Sequence, residues 1–501
     1  MGRSILSNWA GLAVSGVVSF LLTPLLIHRL GAVYFGMWVL AASLLDYYGL
    51  LDIGMRTALF RFIARFEGAG QREELDTTLG TALALAMGVV VLLLALLPPL
   101  ALWLPHFFAA AGAAGRAFQW TLALVGLTLA ATMPARVLGS YLCGIRRFDL
   151  YNCAGMATVI LRGALIAAVL LRGLGIVAVA AASLGAALVS LALSGWLVRR
   201  ADPAARLRWR HASWARARQL IDYGIYAFLN VSGESLRSYT DAIVIARVLT
   251  MALVTPFSIA TRLIEYFKSV ISAAGGPLLG RMSEIEGRAE SDRLRQCFLQ
   301  STKYFAMASA LLGGLLILDG RELIRVWIGA DYVSSYPLLV VLTVGYIACF
   351  SQLPSQLVVF AVARHRFLAA LTLTEGVANL LLSIYWARRY GLLGVALGTA
   401  VPLLAAKLLV EPWYALWVMH LRAGEYLRVA MLRPLAVAAI FWAASGLFLR
   451  PGASLLALAA AVAAQAALFA LLAWTIALSG AERDSLKGGG RRLATLLWAA
   501  S

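Results

Sequence analysis

Asn230, Glu234, Arg237 and Asp241 follow one another at steps of four, three and four, inside a stretch that is otherwise largely apolar. On an α-helix that spacing puts all four on one face. A guanidinium between two carboxyl groups allows two chemistries. An anionic ligand can compete with the acids for Arg237, making the face a gate or a contact surface, or the group can be a buried polar network that pins two helices together. A second face follows at once, in Arg262, Glu265, Ser269 and Ser272, with Lys268 beside it. Ser43, Asp46 and Tyr47 sit at the equivalent depth of an earlier apolar run, and Arg56 lies near its end. These residues suit the binding of something anionic and polar inside an apolar setting.

Bond-making chemistry is not supported. The five histidines (His28, His106, His211, His365, His420) stand near the ends of apolar runs, outside any Ser/His/Asp or metal-ligand spacing. Cys143, Cys153, Cys297 and Cys349 are scattered with no CxxC and read as small apolar packers. No phosphate-binding Walker loop occurs, so this chain is not expected to hydrolyse ATP. We expect no catalytic group, no metal and no cofactor.

The elements that must carry the polar faces are membrane helices. Of 501 residues 62% are hydrophobic and 13% charged, against roughly a quarter charged in a soluble domain, and the mean hydropathy is +0.84. The apolar runs are about 20 residues long, the length an α-helix needs to cross roughly 30 Å of hydrocarbon. Fourteen are expected: 7–28, 33–54, 78–104, 117–142, 152–171, 175–198, 219–246, 252–279, 300–319, 336–362, 367–387, 392–418, 429–449 and 453–478. The first reads as a span rather than a cleaved signal. The fold class is therefore an all-α polytopic membrane protein.

The net charge of +19 does not indicate nucleic acid, because the basic residues lie mainly in short gaps between spans. With the N-terminus inside, 27 of the 43 Lys and Arg fall in inner loops and tails and 9 in outer loops. That bias puts both termini in the cytoplasm. Seven cations remain within spans: Arg136, Arg162, Arg237, Arg262, Lys268, Lys303 and Lys407. Each costs roughly 2.5–3.5 kcal/mol on insertion scales and so invites a functional reading. Arg136, Arg162 and Lys407 are read as snorkelling or headgroup residues, with a cavity role as the alternative.

Sliding the sequence by about 218 residues lays Arg29 on Arg247, Tyr48 on Tyr266, and Gly173-Leu-Gly-Ile-Val-Ala on Gly391-Leu-Leu-Gly-Val-Ala. The shift moves span 1 onto span 7, so the repeat is parallel and implies two six-helix lobes with a site between them. The expected organisation is a first lobe over 1–198, a basic linker over 199–218, a second lobe over 219–420, and two further spans with a tail over 421–501. The linker reads either as an interfacial helix carrying Trp209 and Trp214 or as a solvated positive-inside segment.

Ordered motifs then bring a family into view. They are Leu50-Leu-Asp-Ile-Gly-Met-Arg-Thr-Ala-Leu-Phe-Arg-Phe, Gly144-Ile-Arg-Arg-Phe-Asp-Leu, Asp241-Ala-Ile-Val-Ile-Ala-Arg-Val-Leu, Trp327-Ile-Gly-Ala-Asp-Tyr, Glu375 with Asn379, and Gly391-Leu-Leu-Gly-Val-Ala. In this series, over about residues 1–420, the chain resembles the O-antigen and exopolysaccharide flippases of the multidrug/oligosaccharidyl-lipid/polysaccharide exporter superfamily. The last two spans match in number the fourteen-span flippases, including those for lipid II. The resemblance implies a V-shaped pair of lobes in the inner membrane and a substrate made of polyprenyl pyrophosphate and an oligosaccharide. It also implies partners among membrane lipids and the glycan polymerase or export machinery. On this reading Arg262, Arg237, Glu265, Lys268, Asp46 and Arg56 bind substrate, while Asn230, Glu234 and Asp241 form a gate or intramembrane network. One rival is a multidrug/cation antiporter of the same superfamily, which would favour cavity acids, yet span 1 has none. The other, a membrane glycan polymerase or ligase, needs a large outer loop, and the longest here is about residues 320–335.

The charge bias makes the first prediction. In a cysteine-free background, cysteines placed beside Arg208 and Arg288 should resist an impermeant reagent in intact cells, and their labelling would invert the topology.

Overall fold

Length, apolarity and few prolines dictate helices, and helices are what form. The structure is a computed structural model that describes residues 2–48, 55–205, 212–364, 366–448, 454–480 and 482–484. The α-helices run in chain order as α1 (Gly2–Tyr48), α2 (Met55–Gly68), α3 (Arg72–Phe107), α4 (Gly112–Gly144), α5 (Phe148–Leu171), α6 (Ile176–Ala201), α7 (Trp214–Val248), α8 (Val254–Ala273), α9 (Gly275–Gly287), α10 (Ser291–Trp327), α11 (Tyr336–Ser351), α12 (Leu353–Ala361), α13 (Arg366–Ala405), α14 (Glu411–Met419), α15 (Ala423–Tyr426), α16 (Leu432–Phe448) and α17 (Leu455–Leu472). No strand occurs among the described residues.

Ten helical stretches among these residues are long and apolar enough to cross a membrane. Two of them hold two expected spans each. α1 bends at Gly31 (φ 78°) and α13 at Gly391 (φ 58°), left-handed values that a side chain resists and glycine accepts. Gly173, which the 218-residue shift lays on Gly391, is also left-handed at φ 73°. α7 and α8 are long enough to span, at 35 and 20 residues, but carry too many polar residues to qualify by hydropathy. The chain is thus an all-helical, multi-pass membrane protein.

Two compact units form. One joins Met1–Ile259 to Ala369–Gly398, and the other joins Ala260–Leu368 to Thr399–Ser501. In the first, Leu59, Ile63, Leu75, Leu79, Tyr141, Leu142, Val198 and Leu220 bury a core shared by α2, α3, α4, α6 and α7. α6 continues through Arg199 and Arg200 to Ala201, and α7 already begins at Trp214. The flanks of the basic stretch are tied down on both sides. Arg72 meets Asp202 at 2.6 Å, Tyr141 donates to Asp202, Arg216 pairs with Glu74, and the Arg216 guanidinium lies 4.7 Å from the Phe66 ring centre. Trp209 falls outside the described residues; Trp214 is exposed at the start of α7.

The second unit has one core of Met282, Ile285, Leu294, Phe298, Val358 and Tyr426. A separate cluster of Met307, Ala310, Val437, Phe441 and Phe469 docks α16 and α17 on α10. Gly314 lets Trp442 approach α10, where an added Cβ would stand 2.3 Å from its Nε1, and that nitrogen donates to the Ala310 carbonyl at 3.1 Å. π-helical turns at Ala406–Val410 and Leu427–Met431 each come just before a proline, Pro412 and Pro434. A proline has no N–H for the carbonyl four residues back and crowds it, so the ladder slips to a wider turn.

Two buried lysines of this unit differ from the expectation. Lys407 does not snorkel: it is 5% exposed and its Nζ donates to the buried Glu411 at 2.6 Å, one helical turn away. Lys303, 4% exposed, is held by the chain's own tail. Its Nζ meets Glu482 Oε2 at 2.7 Å, Tyr304 donates to Oε1 at 2.9 Å, and Ser479 donates to Oε2 through its N–H (2.7 Å) and hydroxyl (2.8 Å).

Burial by itself would raise the Glu482 carboxyl. The hydrogen bonds from Lys303, Ser479 and Tyr304 outweigh it and hold it down to about 2, below the ordinary 4.5. A depressed carboxylate stabilises the fold above its unfolded value and loses that contribution as pH falls through the folded one. The wild type should therefore be more thermostable than Glu482→Gln at pH 7, by at most about 3 kcal/mol. The gap should shrink below pH 4.5 and close near pH 2. A gap that does not change with pH in thermal unfolding would contradict the ion pair.

Candidate functional site

Two polar faces emerge, one in each unit. The first lies where α7 meets α13. Glycines set the spacing: a Cβ on Gly233 would come within 3.0 Å of the Thr372 backbone, and one on Gly376 within 3.0 Å of the Gly233 carbonyl. With no side chains between them the helices approach backbone to backbone. Residues one turn further along then meet across the contact. Arg237 donates from Nη1 to Glu375 Oε1 at 2.8 Å and from Nη2 to Glu234 Oε2 at 2.5 Å. Farther along, Ser383 donates to Asp241 Oδ1 at 3.3 Å and stands 3.4 Å from the Val395 carbonyl.

Burial decides what this face does. The side chains of Arg237 and Glu375 are 7% and 1% exposed, that of Glu234 38%. Asp241 and Asn379 are buried as well. The guanidinium is held by two carboxylates, one of them out of reach of water. Among the described residues, three carboxyl groups (Glu234, Asp241, Glu375) stand against one guanidinium on this face, an unwelcoming surround for a second anion. Asn230 lies on the same helix, but its side chain is outside the described residues. Glu375, the main partner of Arg237, was not among the residues expected to form this network. Its signal was the four-residue spacing of Glu375, Asn379 and Ser383 in an apolar run.

The second face is on α8. Ala260, Leu263, Ile264, Phe267 and Ile271 are buried along one side of this helix. Arg262, Glu265 and Ser272 are exposed along the other, with Lys268 and Ser269 half-buried beside them. Lys268 Nζ stands 3.9 Å from Glu265 Oε1, with both side chains partly open, and the Ser269 hydroxyl returns to its own helix at the Glu265 carbonyl, 2.7 Å. Arg262 has neither an ion pair nor a hydrogen bond among the described residues. Its five donors are available. The side chains of Asp46 and Arg56 lie outside the described residues, so they cannot be joined to either face. Arg136 and Arg162 are exposed.

Against known proteins, residues 2–286 match a family model described as polysaccharide biosynthesis protein. The chain is similar to the uncharacterized membrane protein EpsK of Bacillus subtilis (strain 168), with 19% identity over 459 residues and 87% of each chain covered. Among solved structures it is similar to the lipid II flippase MurJ in an inward closed conformation. That likeness has a TM-score of 0.71 at 12% identity and covers 94% of this chain and 98% of the other. A multidrug resistance MATE family transporter of the MOP superfamily, inward-facing, gives 0.61 at 17% identity over 83% and 94%. At such identities the structural likeness is one of fold.

The α7–α13 pairing predicts the cost of removing its cation. Arg237→Ala leaves Glu375 buried without its counter-charge, which costs about 3–5 kcal/mol. Folded protein in the membrane should fall steeply. Adding Glu375→Gln and Glu234→Gln should restore most of it. Abundance and melting of the single variant equal to wild type would show that the network does not pin these helices.

Proposed function

We propose, because this chain belongs to the polysaccharide biosynthesis protein family, that it is a flippase for a polyprenyl-pyrophosphate-linked oligosaccharide. A pyrophosphate and several sugars cannot enter hydrocarbon unaided, so a carrier has to offer them a wet, cationic surface. The observation that carries the reading is the exposed polar face of α8 with its unengaged Arg262. An exposed row of charge and hydroxyl on a membrane helix faces water rather than lipid, because lipid would leave it unsatisfied. Arg262 grips the pyrophosphate through two parallel hydrogen bonds. Lys268 adds charge, and Glu265 orients Lys268 and accepts from sugar hydroxyls.

Asp46 and Arg56 belong to the same proposal, on the repeat-related helix. Arg237 contributes as a fixed part of the framework, with Asn230, Glu234 and Asp241 around it. The two six-helix lobes, 1–198 and 219–420, would alternate in access with both termini in the cytoplasm of an inner membrane. Release on the far side would pass the glycan to polymerase or export machinery. The chain is a carrier and performs no bond chemistry of its own.

One observation favours a second reading, cation antiport: the cluster of Glu234, Asp241 and Glu375 beside Arg237 is what a cation exporter would use. The same experiment separates the two. Proteoliposomes holding the wild type should translocate a labelled polyprenyl-pyrophosphate oligosaccharide. Arg262→Ala should lose this by at least about tenfold at unchanged abundance, as expected for a lost charge-assisted pair worth about 1.5–3 kcal/mol, and Arg262→Lys should recover only part. Full translocation by Arg262→Ala would sink the proposed contact. Uptake of cationic dye with no glycan movement by the wild type would favour the antiporter.

A further inference from the structure

Asp319 lies in α10, sixteen residues beyond Lys303 and so about 24 Å along the helix from it. It is 3% exposed. One carboxyl oxygen, Oδ1, accepts from Gln465 Nε2 of α17 at 3.1 Å. The other, Oδ2, is buried and has no hydrogen-bond partner among the described residues. Gln465 is itself fully buried, and so is Ser445 of α16, next to Gly446, whose Cβ would stand 3.8 Å from Leu318. The site is a buried polar contact between α10 and α17, in a unit where the surrounding contacts include Leu, Phe and Trp.

Among the described residues no counter-charge reaches it. α17 has no ionisable residue, and α16 has only Arg433, at its far end. α11 offers Tyr336, Tyr346 and Cys349, and Tyr336 spends its hydroxyl on the Ile317 carbonyl at 2.6 Å. The 330–335 turn carries Asp331, another acid, with Tyr332 beside it. α12 has no ionisable residue; Arg281, Glu284 and Glu286 of α9 and Arg428 of the 427–431 turn belong to the Lys303 end. On α10 itself Arg321 is exposed and turned about 200° away, while Glu322 and Arg325 pair with each other at 3.1 Å. A carboxylate here would be a buried, unpaired charge, which proteins avoid by taking up a proton.

We propose that Asp319 is a proton-binding site whose bound proton fastens α17 to α10. A carboxylic acid and a primary amide joined through Oδ1 turn their remaining oxygens toward each other. The proton on Oδ2 is donated to the amide oxygen of Gln465 while Nε2–H donates to Oδ1. Both helices then close a two-bond ring with no net charge. When the proton leaves to water the two oxygens repel, the desolvated carboxylate draws water in, and the polar end of the α10–α17 contact opens. The same helix pair is held near its other end by Glu482, which is ionised and bound to Lys303. One carboxyl group binds as a salt and the other as an acid, so base releases the Asp319 end alone.

Infrared spectroscopy tests this on the full chain in lipid nanodiscs, with aspartate carrying a carbon-13 carboxyl. At neutral pH the wild type should show a carboxylic-acid carbonyl band that shifts with the isotope and vanishes in Asp319→Asn. Identical acid regions in the two spectra overturn the proposal. If the asparagine variant does not fold, Gln465→Met decides: the band should persist and move to higher wavenumber as its carbonyl loses the Nε2 donor, and a missing or unmoved band overturns the proposal. The thermal midpoint of the wild type should also fall with rising pH, because the folded state holds a proton that the unfolded chain releases. Asp319→Asn should lack that fall, and equal pH dependence in both would count against the site.

Discussion

Hydrocarbon offers no partner to a polar group, and the arrangement of this chain follows from that. Backbone groups are satisfied by the helices themselves. A charged side chain within the spans that does not reach the headgroups then has two solutions: it meets its complement inside the protein, or it joins a continuous strip that water reaches. Arg237, Lys303 and Lys407 take the first, with acids at 2.5–2.8 Å. On the proposed function the α8 residues take the second. One physical rule therefore covers the same residue types in both settings, and exposure tells which applies.

Packing is what makes the first solution available. An arginine and a glutamate on neighbouring helices pair at 2.8 Å only if the backbones come close, and Gly233 and Gly376 permit that approach. The same logic recurs at Gly314, where the missing side chain admits Trp442 and its hydrogen bond. In lipid there is little hydrophobic drive between helices, so close van der Waals contact and such bonds carry association. Glycine and buried charge are thus linked: the first makes room for the second to be neutralised.

Much of this was legible in the sequence, because span length and loop charge are local properties. The bends at Gly31 and Gly391 fall in the gaps expected between spans 1 and 2 and between spans 11 and 12. The face of Glu234, Arg237 and Asp241 was legible too, since helical periodicity needs only neighbouring residues. Partner choice was not. Glu375 is 138 positions from Arg237, and Glu482 is 179 from Lys303, and no local pattern reports such distances. Lys407 was misread for a related reason. Snorkelling is a common fate of a lone lysine in a span, but Glu411 one turn on gave it a partner inside the protein. The π-turns arise from Pro412 and Pro434, which mark a disturbed ladder in advance without saying how it will relax.

The two arginines that the sequence placed side by side differ in what a ligand would have to do. To bind at Arg237, a phosphate must displace Glu375, whose carboxyl is 1% exposed and would remain buried with no counter-charge. That penalty, several kcal/mol, is as large as the gain from a charged hydrogen bond or larger. The exchange would be uphill before any other cost of binding is counted. At Arg262 nothing needs displacing except water. A carrier also has to let its cargo go, and a contact made against water is reversible in a way that a buried one is not. On the proposed reading the physical division therefore runs between a guanidinium that fixes α7 to α13 and one on α8 that a passing anion can engage and leave.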